Sequence, residues 1–338
     1  MTAAPRFSFL TTAYQTENLI RSTIDTVVGQ TSDDWELIVV DNGNSDEMAA
    51  IINEYAEADP RIKLVRHENR GYVGGVMSAA KHATGDYLCV LDSDDQLMPG
   101  FCAAVGKFLD ANPAVDAVSV DAYRFENDND DLPAGYLRSV GVKKRPDPEH
   151  RLTMTDILAG YVPYYTAAIR REVWDAVGGY DPGIPGVHES VIIWLRLVPE
   201  YDGRVLPQRL ARYRLRMDSL TRDPEKIDSF EAELVRSYMA VMPLKNPDER
   251  AALDQTLRTI RYWKHIRHAR LALLEGDDDS ARKNAREAFA QRKTVRAGAV
   301  VLVVNLMPGL MRSVHPIKQR VERVFGHAAG KLVARVKG

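Results

Sequence analysis

Between Phe7 and Tyr123 the chain alternates short, nearly continuous apolar runs with amphipathic stretches. FSFLTTAY, WELIVVDN, IKLVRHEN, YLCVLD and AVDAVSVDAY are rich in β-branched and aromatic residues and bounded by polar or turn-forming ones, which predicts strands. Between them, apolar positions recur at helical spacing over residues 19–28, 46–58, 76–83 and 99–112. Strands that read as unbroken apolar runs are covered on both faces. The expected fold class is therefore α/β, a mostly parallel sheet with helices on both faces. Such sheets bind ligands beyond the carboxyl ends of their strands. Those ends carry Thr12 and Tyr14, Asp41 and Asn42, Asn69 and Gly71, and the acidic group from Asp92 to Asp95. Polar groups on four separate strand ends point to one shared crevice.

The pattern changes after residue 125. Residues 126–150, ENDNDDLPAGYLRSVGVKKRPDPEH, are acidic, then basic, then punctuated by proline, which predicts a long surface excursion: a lid, a binding loop or a partly disordered segment. Helical periodicity returns before Tyr161 and from Ser190 to Leu197, and GRVLPQRLARYRLR reads as a further strand pair. Beyond Asp223 the periodicity is helical throughout, over 224–241, over 247–275 with Asn246 as cap and Gly276 as stop, and over 280–291. That shift places a domain boundary at Asp223, between residues 1–222 and a helical region over 223–338.

Charge adds one asymmetry. The 338 residues carry a net charge of −2, an ordinary balance that gives no global attraction to nucleic acid. Yet residues 281–338 hold thirteen Lys or Arg against two Glu. Within them AGAVVLVVNLMPGLM is an apolar run of fifteen residues, interrupted by Asn305 and Pro308. It is shorter than the roughly 20 residues of a spanning helix. Farther on, Ile317, Val321, Val324, Ala328, Leu332 and Val336 recur at helical spacing, with Lys318, Arg320, Arg323, Lys331 and Arg335 on other faces. Two readings stand: a basic amphipathic segment drawn to the anionic inner face of a membrane, or an apolar element packed on the 247–291 hairpin or on a second copy. The opening MTAAPRFSFLTTAY has too short an apolar run for a signal peptide, and Cys89 and Cys102 lack metal-ligand spacing. Both observations lead to the expectation of a reducing, cytoplasmic setting, peripheral on the membrane if the tail binds there.

The candidate chemistry centres on GDYLCVLDSDDQLMPG, where an apolar strand runs into Asp92, Asp94 and Asp95. Carboxylates crowded at the end of a buried strand are costly unless a cation or backbone N–H groups compensate them. Hard dications such as Mg²⁺ or Mn²⁺ prefer such oxygens and keep free positions for substrate phosphates. The plainer alternative is a turn in which Asp95 caps the helix beginning near Pro99.

The stretch FSFLTTAYQTENLIRSTIDTVVGQTSDDWELIVVDNGNSDE, followed in order by NRGYVGG, GDYLCVLDSDD, AAIRREVWDAVGGYD and YRLRMDSLT, resembles a family 2 glycosyltransferase of GT-A fold over residues 7–221. The resemblance implies an inverting enzyme that moves a sugar from a nucleoside diphosphate to a hydroxyl of a glycan, lipid-linked or polymer acceptor, with Mn²⁺ or Mg²⁺ on the DxD. Residues 1–125 would then form the nucleotide-sugar half and 126–222 the acceptor half. It makes Asp94 the first metal ligand and puts Asp92 near the ribose or on the metal through water. Asp41 keeps the family's first acid of VVDDGS, while Asn42 replaces the second. An amide still reads uracil or thymine, so UDP or dTDP is expected rather than GDP. DNGNSD also reads as a turn capping the next helix through Ser45 or Asp46. Thr12 and Tyr14 fall in the family's PxYN element, with Thr12 for proline and Gln15 for asparagine. Arg216 falls where the family has a histidine near the diphosphate, and alternatively is a surface arginine on an edge strand. Arg212 and Arg214 share those two readings.

One position departs from the family. Its general base opens a helix six residues before an arginine, and counting back six from Arg196 gives Ser190. A serine is no proton acceptor unaided, so Glu189 or His188 takes the proton, or the site is impaired and the protein binds nucleotide sugars as a partner or scaffold. A nucleotidyltransferase would carry a glycine-rich basic loop after the first strand, and TTAYQTEN is not one.

Overall fold

The computed structural model describes residues 4–126, 130–181, 183–216 and 226–306. The first four of the five expected strands form as β1 (Phe7–Ala13), β2 (Trp35–Asp41), β3 (Ile62–Arg66) and β4 (Tyr87–Val90). They alternate with α1 (Ile20–Val28), α2 (Asp46–Ala58) and α3 (Gly71–Ala80). Then follow β5 (Gln96–Leu97), α4 (Phe101–Ala111), β6 (Ala117–Phe125), α5 (Tyr136–Ser139), α6 (Met154–Leu158), β7 (Ala168–Arg170), α7 (Arg171–Val177), α8 (Glu189–Leu197) and β8 (Gly203–Arg214). The helices α9 (Ile227–Met239), α10 (Pro247–Glu275), α11 (Asp278–Gln291) and α12 (Val295–Leu306) complete the described chain.

One sheet holds the eight strands in the order β3-β2-β1-β4-β7-β6-β8-β5. β1 and β2 are buried along their whole length, which is why their sequences read as unbroken apolar runs. Their parallel register pairs Ala13 with Asp41, and Asp41 in turn with Arg66 of β3. Leu10 is level with Val90 of β4. β1, β2 and β3 therefore finish at one level, while β4 stops three residues lower and the turn after it carries the chain up to that same edge of the sheet. The core beneath them is built from Phe7, Phe9, Trp35, Leu37, Val39, Phe101 and their neighbours.

Several sequence expectations change in detail. The stretch 203–214 is one strand, not a pair. β8 runs parallel to β6, and the register slips between Ser119 and Asp121. The slip coincides with Pro207, which has no N–H to give the ladder. The helix expected over 76–83 starts at Gly71, whose φ of +72° suits glycine. β5 and β7, with two and three residues, are too short to show a period. In the 126–150 excursion Tyr136 packs edge-on against Tyr164 and Tyr213, at 4.9 and 5.7 Å between ring centres.

The chain divides into two compact units, Met1–Leu244 and Lys245–Gly338. α9 thus lies with the first unit, beyond the compositional break at Asp223: Ser237 Oγ accepts the His188 N–H at 2.6 Å, and Arg236 reaches the Gly186 carbonyl. In the second unit α10 starts and stops as read, with the Asn246 side chain accepting from the Asp248 N–H and Gly276 in the left-handed conformation. Ala297 of α12 packs with Tyr262 and Ala288, and Val300 and Val304 pack with Ala272, Leu273 and Ala281. Over 297–306 one face of the apolar run, Ala297, Val300 and Val304, is therefore a packing surface, while Leu302 and Leu306 stay exposed. The remainder of the run and the basic repeat from Ile317 lie outside the described residues. Among the described residues no helix is long and apolar enough to cross a membrane.

Candidate active site

The acidic turn after β4 explains itself by alternation. Ser93 and Asp95 are buried, at 6% and 1% exposure, while Asp92 and Asp94 stay partly open at the sheet edge. The inward pair is stapled to the fold. Thr16 donates to Ser93 Oγ at 2.9 Å, and Thr23 donates to the Asp95 carbonyl at 2.7 Å. The Asp95 carboxylate accepts from the Tyr164 hydroxyl at 2.9 Å, the Tyr165 hydroxyl at 2.6 Å and the Arg214 N–H at 2.7 Å. Burial, helped by the charges of Asp94 and Asp92, pushes Asp95 well above the usual carboxylate range, and these donors oppose the push. Asp95 therefore anchors the turn through partners from distant segments and does not cap the helix that follows, whose N-cap is Gly100 with no side-chain cap.

The outward pair is only partly compensated. Asp92 Oδ1 accepts from the Tyr72 hydroxyl at 2.6 Å, and Asp94 Oδ2 lies 3.3 Å from Arg216 Nη1. Burial first, and then the charge of Asp94, raise Asp92 to about 7; burial also raises Asp94 against the pull of Arg216. Two crowded oxygen donors held above their ordinary range are what a dication would relieve. Among the described residues no three His, Cys, Asp or Glu side chains converge as a ready metal cage. That set fits a cation held by one or two carboxylates and a substrate's phosphates, the habit of Mg²⁺-type sites.

The other strand ends gather beside this turn. Tyr14, 48% exposed, lies over Gly43, where an added Cβ would come within 3.0 Å of its ring. Thr12 is buried under α3 with its hydroxyl unpartnered among the described residues, and a Cβ on Gly75 would fall 2.0 Å from that oxygen. Asp41, 1% exposed, accepts from the Ser45 N–H at 3.1 Å and pairs with Arg66 at 3.1 Å. Ser45 caps α2, as expected. Asn42 departs from its expected place at the nucleobase. Its amide donates to the Gly71 carbonyl at 2.9 Å and to Asn69 Oδ1 at 3.4 Å, and its oxygen accepts the Arg70 N–H at 3.0 Å. Both amide hydrogens are spent on the Asn69–Gly71 turn, so Asn42 shapes the crevice from beneath. Asn69 in turn accepts the Gly71 N–H at 2.8 Å.

α8 opens at Glu189. Its charge is felt at Asp92, Tyr72 and Tyr180, raising the pKa of each, so it lies toward the acidic turn. His188 is held elsewhere: its Nδ1 lies 2.9 Å from Ser190 Oγ, and its ring packs edge-on against Phe230 of α9 at 4.9 Å. The sequence reading missed Tyr72, Tyr164 and Tyr165. Arg214, weighed in the sequence with Arg212 on the same terms as Arg216, donates through Nε to the Asp94 carbonyl at 2.7 Å and lies over the Phe125 ring. The tyrosine doublet in YVPYYTAAIR was the available signal, without the pairing that gives it meaning.

With this geometry in view, the comparisons with known proteins agree. The sequence profile of Glycosyl transferase family 2 matches residues 8–178, half of the chain. The chain therefore belongs to that family, and its matched domain is a glycosyltransferase domain. EpsH of Bacillus subtilis is 35% identical over 98 residues, which cover 29% of this chain and 28% of EpsH. The uncharacterized glycosyltransferase EpsJ of the same organism is 24% identical over 243 residues, covering 72% of this chain and 70% of EpsJ. Among solved structures, residues 1–349 of S. aureus TarS superpose with a TM-score of 0.54 at 15% identity, over 86% of this chain and 92% of that one. The mannosyltransferase PcManGT of Pyrobaculum calidifontis, in complex with GDP-Man and Mn²⁺, gives 0.58 at 19% identity, over 98% and 88%. These likenesses establish the GT-A fold.

Proposed function

We propose that this protein is an inverting, metal-assisted glycosyltransferase that moves a sugar from a nucleoside-diphosphate donor to an acceptor hydroxyl. The observation that carries the reading is the outward pair Asp92 and Asp94 at the end of β4, and Glu189, which opens α8, is the base proposed to serve it. Tyr14 offers an exposed ring over Gly43 as a platform for the base, above the turn shaped by Asp41 and Asn42. Arg216, beside Asp94, counters diphosphate charge, for which a guanidinium's paired donors are suited. A Mn²⁺ or Mg²⁺ held by Asp94, with Asp92, would supply Lewis-acid stabilisation of the departing diphosphate. Glu189 takes the acceptor's proton as the acceptor oxygen bonds to the anomeric carbon. The bond from that carbon to the diphosphate oxygen breaks on the opposite side, which inverts the centre.

The preference for UDP or dTDP over GDP rested on the Asn42 amide, which the Asn69–Gly71 turn occupies, so the choice of base falls to the donor panel. Neighbours with TM-scores of 0.55 and 0.58 were solved with UDP-GlcNAc and with GDP-Man, so both bases belong in the test. The protein is expected to release diphosphate slowly from at least one of a panel of UDP-, dTDP- and GDP-sugars, and to be thermally stabilised by the same nucleotide, in MnCl₂ but not in EDTA. A panel in which no nucleotide stabilises or is hydrolysed overturns the reading.

We further propose a glycan or lipid-linked acceptor reached from the inner membrane face, supported by the basic C-terminal sequence and by Val295, Leu302 and Leu306, exposed on α12 at 93%, 59% and 68%. The full chain should sediment with anionic vesicles, less so in high salt, and a chain ending at Gln291 should not. Equal partitioning of the two sinks the membrane proposal and leaves the transferase reading intact.

A further inference from the structure

Two adjacent tyrosines are spent on one buried carboxylate, and they are not equivalent. β7 pairs antiparallel with β4 through Tyr87↔Arg170 and Leu88↔Ile169. Each step forward along β4 is one step back from β7, so the same register continued past both strand ends brings Tyr165 level with Asp92. The hydrogen bonds agree with that geometry. The Tyr164 hydroxyl donates to Asp95 Oδ2 at 2.9 Å. The Tyr165 hydroxyl donates to the same oxygen at 2.6 Å and also accepts the backbone N–H of Asp92 at 3.1 Å. A phenol has one proton to give and lone pairs to receive, and Tyr165 uses both kinds of capacity. It therefore bridges the first and last residues of the 92–95 turn, whereas Tyr164 touches only the last.

From this arrangement we propose that Tyr165 is a positioning residue for the donor's diphosphate and its cation, acting through the main chain of Asp92. The assignment rests on the reading of Asp92 and Asp94 as the metal and diphosphate site. Fixing the Asp92 N–H fixes the direction in which its side chain leaves the backbone, and with it the peptide that leads through Ser93 to Asp94. Tyr72 completes the hold from the other side by donating to Asp92 Oδ1 at 2.6 Å. Asp92 is thus gripped at its main chain by one phenol and at its carboxylate by another. Burial and the charges of Asp92 and Asp95 raise the Tyr165 hydroxyl well above its ordinary range, so it keeps its proton and stays a donor. Without the bridge, the buried Asp92 N–H and the Asp95 oxygen each lose a partner, and the turn is free to relax by tenths of an ångström. Displacements approaching one ångström are the scale at which positioning losses reach about a hundredfold.

The test uses the full-length protein and the pair Tyr165→Phe and Tyr164→Phe. Each removes one hydroxyl from the same Asp95 oxygen, and only the first frees the Asp92 main chain. MnCl₂ is titrated by calorimetry in the presence of UDP or GDP, whichever the wild type binds, with Tm measured alongside. The two variants should lose a similar few degrees of Tm. Half-saturation by Mn²⁺ should rise about tenfold or more in Tyr165→Phe and less than about threefold in Tyr164→Phe. Equal Mn²⁺ dependence in the two variants, or an unchanged dependence in Tyr165→Phe, overturns the assignment while wild-type binding keeps the donor site. A wild type that binds neither nucleotide with Mn²⁺ overturns both readings together.

Discussion

Asp94→Ala is expected to lower sugar transfer by about a thousandfold or more while leaving the fold nearly intact. The Asp94 side chain is 25% exposed and pairs with Arg216 at 3.3 Å. Removing it relieves a carboxylate already raised by burial, so no buried partner of the turn is orphaned. What disappears is the oxygen best placed to hold a cation against the donor's diphosphate. Charge stabilisation of a leaving group by a metal is worth several kcal/mol, and about 4 kcal/mol corresponds to a thousandfold in rate. Diphosphate release from the preferred nucleotide sugar, with far-UV circular dichroism as the control for folding, measures both halves of the expectation. Full turnover by the variant in EDTA would remove the metal from the mechanism.

The second large effect belongs to Glu189→Gln, which should depress kcat about a hundredfold or more with little change in donor affinity. A positioned base contributes on that scale. The family's usual position for the base holds Ser190 here, and that hydroxyl is engaged with His188 Nδ1 at 2.9 Å. His188 is further tied through its N–H to Ser237 and through its ring to Phe230, an arrangement that orients the start of α8. Glu189 is the member of the trio whose charge reaches Asp92. Loss of its proton-accepting capacity should therefore show in turnover and not in nucleotide binding. His188→Gln provides the comparison, with a smaller loss expected. Unchanged turnover in Glu189→Gln, or a larger loss in His188→Gln, would hand the proton to His188.

What the sequence made legible was what depends on neighbours in the chain. β1 to β4 announced themselves because strands buried on both faces must be apolar throughout, and their shared end announced the crevice through Thr12, Asp41, Asn69 and Asp92. α10 was readable to the residue because its cap and stop, Asn246 and Gly276, act locally. The partners of the acidic turn were hidden because they come from far along the chain. Tyr164 and Tyr165 reach Asp95 across about seventy residues and Arg214 across more than a hundred, carried there by strands too short or too bulged to show a period. Asn42 misled for the same reason. Its place in the family's motif suggested a nucleobase contact, while its amide is occupied by Gly71 and Asn69, some thirty residues on. The orientation of Glu189 and His188, one toward Asp92 and the other toward α9, likewise depends on a helix that composition assigned to another domain.

The most direct measurement of the central claim is a calorimetric titration of the preferred nucleoside diphosphate into three samples: wild type with MnCl₂, wild type with EDTA, and Asp94→Ala with MnCl₂. The account predicts saturable binding in the first and at least a tenfold weaker interaction in the other two. Equal affinity in all three would contradict it, since the crevice would then hold its nucleotide without the cation and without the carboxylate said to carry it.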